Sequence, residues 1–144
     1  MTLSDYHTLW EQDAVINQDT LDEHARTVPN LHAKWWRFYA SERLKFRKLD
    51  IESKSLYKNL LEYYTNKMLD EDREKLGWPP NPRLILSANV DTYIEADPHM
   101  IDLATKVAYQ EELLRFLESV IGNINRRGYD IKNAIDFLKF KMGV

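Results

Sequence analysis

Eight cations, Lys34, Arg37, Arg43, Lys45, Arg47, Lys48, Lys54 and Lys58, stand against only Glu42, Asp50 and Glu52, so residues 34–58 carry a net charge of +5. Side chains of this kind neutralise phosphates. The rings interleaved with them, Trp35, Trp36, Tyr39, Tyr57, Tyr63 and Tyr64, are the type on which unpaired bases stack, at about 1–3 kcal/mol per base. Other chemistries find less support. His7, His24, His32 and His99 form neither a His-x-x-x-His nor a Glu-x-x-His pair and read as scattered surface or interface histidines, so no metal site is expected. Cysteine is absent, which removes thiol catalysis, thiolate metal sites and a disulfide framework. There is no Gly-x-Ser-x-Gly, no glycine-rich phosphate loop and no dinucleotide fingerprint. The acids of Asp70-Glu71-Asp72-Arg73-Glu74-Lys75 read as a solvated loop. We expect no catalytic residues, no cofactor and no enzyme activity.

The basic block needs a helix to order it. From Asn30 to about Leu69 there is neither Gly nor Pro, and the pattern is helical throughout. At about 100° per residue, Leu31, Trp35, Phe38, Tyr39, Phe46, Leu49, Leu56, Tyr57, Leu60, Tyr63 and Tyr64 share one apolar face. Lys34, Arg37, Lys45 and Lys48 then fall within about 80° of one another on one flank, and Arg43, Arg47, Lys54 and Lys58 form a second ridge on the other. Trp36, about 100° beyond Trp35, is the better candidate for an exposed ring. Such a helix would be about 60 Å long, more than a domain of this size can cover, so it calls for partners beyond its own chain. The bland reading stays open here: an ordinary helix whose basic flanks pair with acidic neighbours. Residues 1–33 are one such neighbour, with Asp5, Glu11, Asp13, Asp19, Asp22 and Glu23 against Arg26 alone.

The remaining elements follow from caps and breakers. Thr2 or Ser4 starts a short helix through about Ile16, and Asp19 or Thr20 caps a second. Pro29 either kinks that helix or opens the next. Gly77-Trp78-Pro79-Pro80-Asn81-Pro82 reads as a loop, with Leu84-Ile85-Leu86 and Tyr93-Ile94 as strands of a small hairpin. Asp97 caps a helix from Pro98 to about Arg127, which Gly128 ends in a left-handed cap. A last helix follows, with Ile131, Ile135 and Leu138 on one stripe and Phe137 and Phe140 partly off it. A short helix apolar on more than one side reads as an oligomer contact.

The expected fold is therefore all-α, a single helical domain over residues 1–144. It has an acidic N-terminal region (1–33), a long basic and aromatic helix (34–69), a loop region (70–97) and C-terminal helices for assembly (98–144). The start carries no basic and apolar leader, and no apolar run approaches the roughly 20 residues needed to span a bilayer, so no membrane partner is expected.

Several of these segments resemble the UvsY family, the recombination mediators of T-even-like tailed phages. The similarity runs from about Val28 to Tyr64, through Lys34-Trp35 and Leu61-Glu62-Tyr63-Tyr64. It resumes at Arg127-Gly128-Tyr129-x-Ile131-Lys132 and Ile135-Asp136, and Asp13-Ala14-Val15-Ile16 is also similar. The resemblance implies a helical protein assembled as a homo-oligomeric ring, an open barrel that is heptameric or hexameric. It implies binding of single-stranded DNA, contacts with a RecA-like recombinase and a single-strand-binding protein, and displacement of the second by the first. It also implies action in the cytoplasm of an infected bacterial host. The family's DNA-contact segment, Leu-Lys-Ala-Arg-Leu-Asp-Tyr, reads here Tyr57-Lys58-Asn59-Leu60-Leu61-Glu62-Tyr63. Lys58 matches and Lys54 matches the basic residue one turn earlier, but Leu60 replaces the arginine, which Arg47 or Lys67 would have to make good. The family's C-terminal segment serves ring assembly, in line with the reading of Ile131, Ile135 and Leu138. Two other readings compete: a structural or adaptor protein whose basic ridges meet acidic protein surfaces, and a helix-turn-helix reader of duplex DNA around Gly128.

Overall fold

The computed structural model describes residues 1–81 and 83–144 and contains, among them, five α-helices, two single 3₁₀ turns and no strand. The helices are α1 (Leu3–Asp13), α2 (Leu21–Tyr64), α3 (Asp70–Leu76), α4 (Val90–Glu95) and α5 (Pro98–Met142). The chain divides into two compact units. The first comprises Met1–Arg43 and Glu112–Val144, the second Leu44–Glu111. Both α2 and α5 contribute residues to each.

In the first unit α1 begins at a full capping box. The Thr2 hydroxyl accepts from the Asp5 amide at 3.2 Å while the Asp5 carboxylate accepts from the Thr2 amide at 2.7 Å, which satisfies two donors that a helix start leaves unpaired. The helix stops at Asp13, short of the expected Ile16. Tyr6, Trp35, Leu113, Leu117, Val120, Ile121 and Ile124 form the core, with Leu3, Leu9, Trp10, Val28, Leu31 and Phe38 packed around it. Trp35 is wholly buried and meets the rings of Trp10 and Phe38 edge to face, a favoured aromatic geometry.

Pro29 neither breaks nor starts a helix but lies inside α2. It removes the donor for the Ala25 carbonyl, a loss of about 3 kcal/mol in an interior turn. Val28 and Leu31, packed on the core at either side, hold the helix across it.

The second unit packs around Leu60, Trp78, Val90 and Ile94, with Leu56, Tyr63, Tyr64, Met68, Ile85 and Met100 against them. The long helix ends at Tyr64, earlier than expected, because Asn66 takes a left-handed backbone (φ 58°), a conformation asparagine tolerates better than most residues. Lys67 therefore lies beyond the helix.

The charged run at 70–75 is not a loop: it forms most of α3, acids first and bases last, the order the helix dipole favours. Gly77, at φ 72°, ends it. There is no hairpin either. Ser87–Asn89 is a 3₁₀ turn leading into α4, where Val90 and Ile94, four residues apart, are both buried on one helical face.

The expected break at Gly128 is also absent. From Pro98 to Met142 the chain is one helix, and Gly128 has no left-handed φ. Ile124, Arg127 and Ile131 are buried on one face, so packing outweighs the roughly 1 kcal/mol penalty of a mid-helix glycine. Without a turn at Gly128 there is no helix-turn-helix motif there.

Candidate nucleic-acid interface

The stripe of α2 that faces the core leaves its opposite side to solvent, and most of the predicted cations lie on that side or its flanks. In the second unit Arg47, Lys48, Lys54 and Lys58 are exposed. The Lys54 and Lys58 side chains are 76% and 75% accessible. Each meets an acid of its own helix, Lys54 with Asp50 at 3.2 Å and Lys58 with Glu62 at 3.9 Å. Exposed i,i+4 pairs of this kind contribute only tenths of a kcal/mol and yield readily to a phosphate. Arg47 and Lys48 have no ion pair among the described residues. Lys45 is exposed and engaged in interactions of its own, and Lys67 is exposed beyond the helix end.

In the first unit Arg37 and Arg43 are exposed. Lys34 is not a free cation: its ammonium donates to Asp13 Oδ2 at 2.7 Å, and the same oxygen accepts from the buried Trp35 indole at 2.9 Å. That carboxylate ties the last turn of α1 to α2. Trp36 is exposed as predicted, with His32 stacked beside it, planes 10° apart, and Tyr39 next to it.

The family's arginine position is decided by burial. Leu60 is 1% exposed in the core of the second unit. It lies at the centre of the apolar stripe, where a guanidinium would be surrounded by Trp78, Val90 and Ile94.

The paired tyrosines are held by their hydroxyls. Tyr63 donates to the Pro79 carbonyl at 2.7 Å and Tyr64 to Asp97 Oδ2 at 2.6 Å. Tyr57 donates to Asp91 at 2.7 Å, and that carboxylate pushes the phenol above its usual range. Burial, then the bond to Asp97, raises Tyr64 as well. Burial alone would raise Asp97, but the Tyr64 hydroxyl and the His99 amide and ring donate to it and hold it below the usual carboxylate range. The Tyr63 and Tyr64 rings order the core of the second unit, whereas Tyr57, 42% exposed, lies outside that core and is tethered by its hydroxyl.

Two buried charges escaped the sequence reading. Glu42, 3% exposed, accepts from the Tyr6 hydroxyl at 2.9 Å. Its helical angle, on the stripe between Trp35 and Leu49, was the available signal. Arg127 is buried and donates to the Ala14 and Val15 carbonyls at 3.3 Å each, capping the end of α1 from a residue far away in sequence. Burial lowers its pKa, while Asp13 and then Asp130 act against that.

Of the predicted assembly residues, Ile131 is 2% exposed within the single chain. It is already consumed by the fold, which corrects its assignment to an oligomer contact. Ile135 and Leu138 are half-buried. Phe137 and Phe140 are exposed, Phe140 to 83%. Among the described residues no group of three or more histidines and carboxylates is placed to hold a metal ion, and no helix is long and apolar enough to cross a membrane.

The family described as recombination, repair and ssDNA binding protein UvsY matches residues 9–144. The chain belongs to the UvsY family. Its relatives include the recombination protein uvsY of Enterobacteria phage T4, 23% identical over 143 residues and matched over 99% of each chain. Crystal structures of the bacteriophage T4 recombination mediator protein UvsY share the fold. One has a TM-score of 0.85 at 23% identity, covering 97% of this chain and 99% of that one, and a second lattice form gives 0.81, covering 99% and 98%. In this chain Arg47, Lys54 and Lys58 are exposed on one side of α2, and residue 60 is a buried leucine.

Proposed function

We propose that this protein is a recombination mediator. It binds single-stranded DNA along the outward basic ridge of α2, and it promotes loading of a RecA-like recombinase by displacing a single-strand-binding protein. Binding, not catalysis, is its work, in the cytoplasm of an infected bacterial host. The observation that carries the reading is the exposure of Arg47, Lys54 and Lys58 on one side of a helix, in a chain of the UvsY family. Each subunit contacts only a few phosphates. A homo-oligomeric ring of such subunits, joined through the exposed apolar end of α5, multiplies a weak site by avidity.

A ridge that reads phosphates through Lys and Arg releases counterions, so affinity falls steeply with salt and depends little on sequence. Anisotropy titrations of a labelled oligonucleotide at several salt concentrations test this. A log–log slope near zero overturns it, as does a preference for duplex over single strand. Recombinase loading is tested separately: the protein should shorten the lag of filament formation on strands precoated with the single-strand-binding protein.

A further inference from the structure

We propose that the outward face of α2 in the second unit is also a docking surface for an acidic amphipathic helix of a partner protein, and that this helix competes with single-stranded DNA for the ridge. Between the cations stand two large aliphatic side chains, Leu44 and Ile51, 66% and 67% exposed. Single exposed aliphatics are common on protein surfaces and mean little. These two are seven residues apart, so they point the same way, about 10 Å from each other along the axis. Ile51 lies on the side of the helix opposite the buried Leu60. Arg47 and Lys54 border them on one flank and Lys48 on the other, and Lys58 continues the line seven residues beyond Ile51, all exposed.

Such a seam suits a helix better than it suits a nucleotide strand. Bases stack on aromatic planes, and aliphatic side chains provide none. A second helix packed at a shallow angle meets its neighbour every seven residues, with its own aliphatics between Leu44 and Ile51 and its flanking side chains over the cations. Charge complementarity makes that occupant acidic: its carboxylates would take over Lys54 and Lys58 from Asp50 and Glu62, whose exposed pairings are weak. The competition with DNA rests on the function proposed above; the docking does not. Together they provide a means by which a protein partner releases the strand.

The probe is a synthetic helix of about three heptads, leucine at the first and fourth positions and glutamate at the flanking ones. Its control is a peptide of the same composition with the leucines scattered around the helix. Anisotropy with the intact oligomer should show the patterned peptide binding at least about tenfold tighter than the control, and an oligothymidylate should displace it. Leu44→Gln with Ile51→Gln, both exposed and both replaced by a good helix former, should weaken the peptide about tenfold. DNA affinity should stay within about twofold. Equal binding of the two peptides overturns the proposal, as does a double variant that loses DNA as fully as peptide. If Lys54→Ala with Lys58→Ala weakens the peptide but not DNA, docking stands and the DNA ridge falls. If it weakens DNA alone, docking falls.

Discussion

Lys58 and Leu60 are two residues apart on one helix and face nearly opposite ways, Lys58 into solvent and Leu60 into a core shared with Trp78, Val90 and Ile94. The helical period therefore puts these two positions on different sides of α2. One lies on the ridge. The other is a packing residue.

Restoring the family residue should accordingly fail. Leu60→Arg places an unpaired charge in an apolar core and is expected to destabilise the protein by about 3–5 kcal/mol without tightening DNA binding. Urea unfolding with parallel anisotropy reads both. A stable variant with raised affinity would show that residue 60 reaches solvent.

Lys54→Ala with Lys58→Ala is expected to weaken single-strand binding and to flatten the log–log salt dependence by about 0.7 for each phosphate left without its cation. The assembled mass, followed by light scattering, should not change. An unaltered slope would shift the DNA-binding ridge to Arg37 and Arg43 in the first unit.

Asp13→Ala removes the acceptor shared by Lys34 and the buried Trp35 indole. An indole donor left unpaired in the core is expected to destabilise the first unit by about 1–3 kcal/mol. Thermal unfolding followed by tryptophan fluorescence should show the destabilisation, whereas Lys34→Ala, which leaves the indole bond in place, should be far milder.

Gly128→Ala should stabilise the protein by up to about 1 kcal/mol, because the glycine is mid-helix with a right-handed backbone and a Cβ there meets nothing within 4 Å. Had Gly128 been a left-handed cap, alanine would have been destabilising. The sign of the change in denaturation midpoint separates the two.

The Tyr64–Asp97 pair sets opposite limits on pH. Asp97 is depressed in the folded state, so its contribution is complete above the ordinary carboxylate pKa, about 3.9, and is lost as pH falls through the lower folded value. Tyr64 is raised, so its contribution is complete below about pH 10 and is lost as pH rises through the higher folded value. Asp97→Asn should move the acid unfolding midpoint upward. In ultraviolet titration Tyr64 should ionise only after the exposed tyrosines, and an ordinary midpoint for every tyrosine would contradict the pairing.

Much of this protein was legible without coordinates. The absence of Gly and Pro from 30 to 69, the period of the apolar stripe from Leu31 to Tyr64 and the flanking cations determined an all-helical chain with a basic outer face, because backbone geometry alone converts that spacing into sides of a helix. Trp35 inward and Trp36 outward followed from the same rule. Tertiary structure decided what local signals left balanced. Gly128 read as a helix end and Pro29 as a kink or a helix start, yet burial of Ile124 and Ile131 beside the first, and packing of Val28 and Leu31 on the core beside the second, hold the helices continuous through them. Tyr93-Ile94 was too short for periodicity to choose between strand and helix, and packing of Val90 and Ile94 made the choice, while Leu84-Ile85-Leu86 forms neither. Local pattern also could not show that Lys34 would be taken by Asp13, or that Arg127 would cap a helix more than a hundred residues before it. Pairings of that kind depend on which side chains the folded chain brings within hydrogen-bond distance, and no spacing along the sequence encodes it.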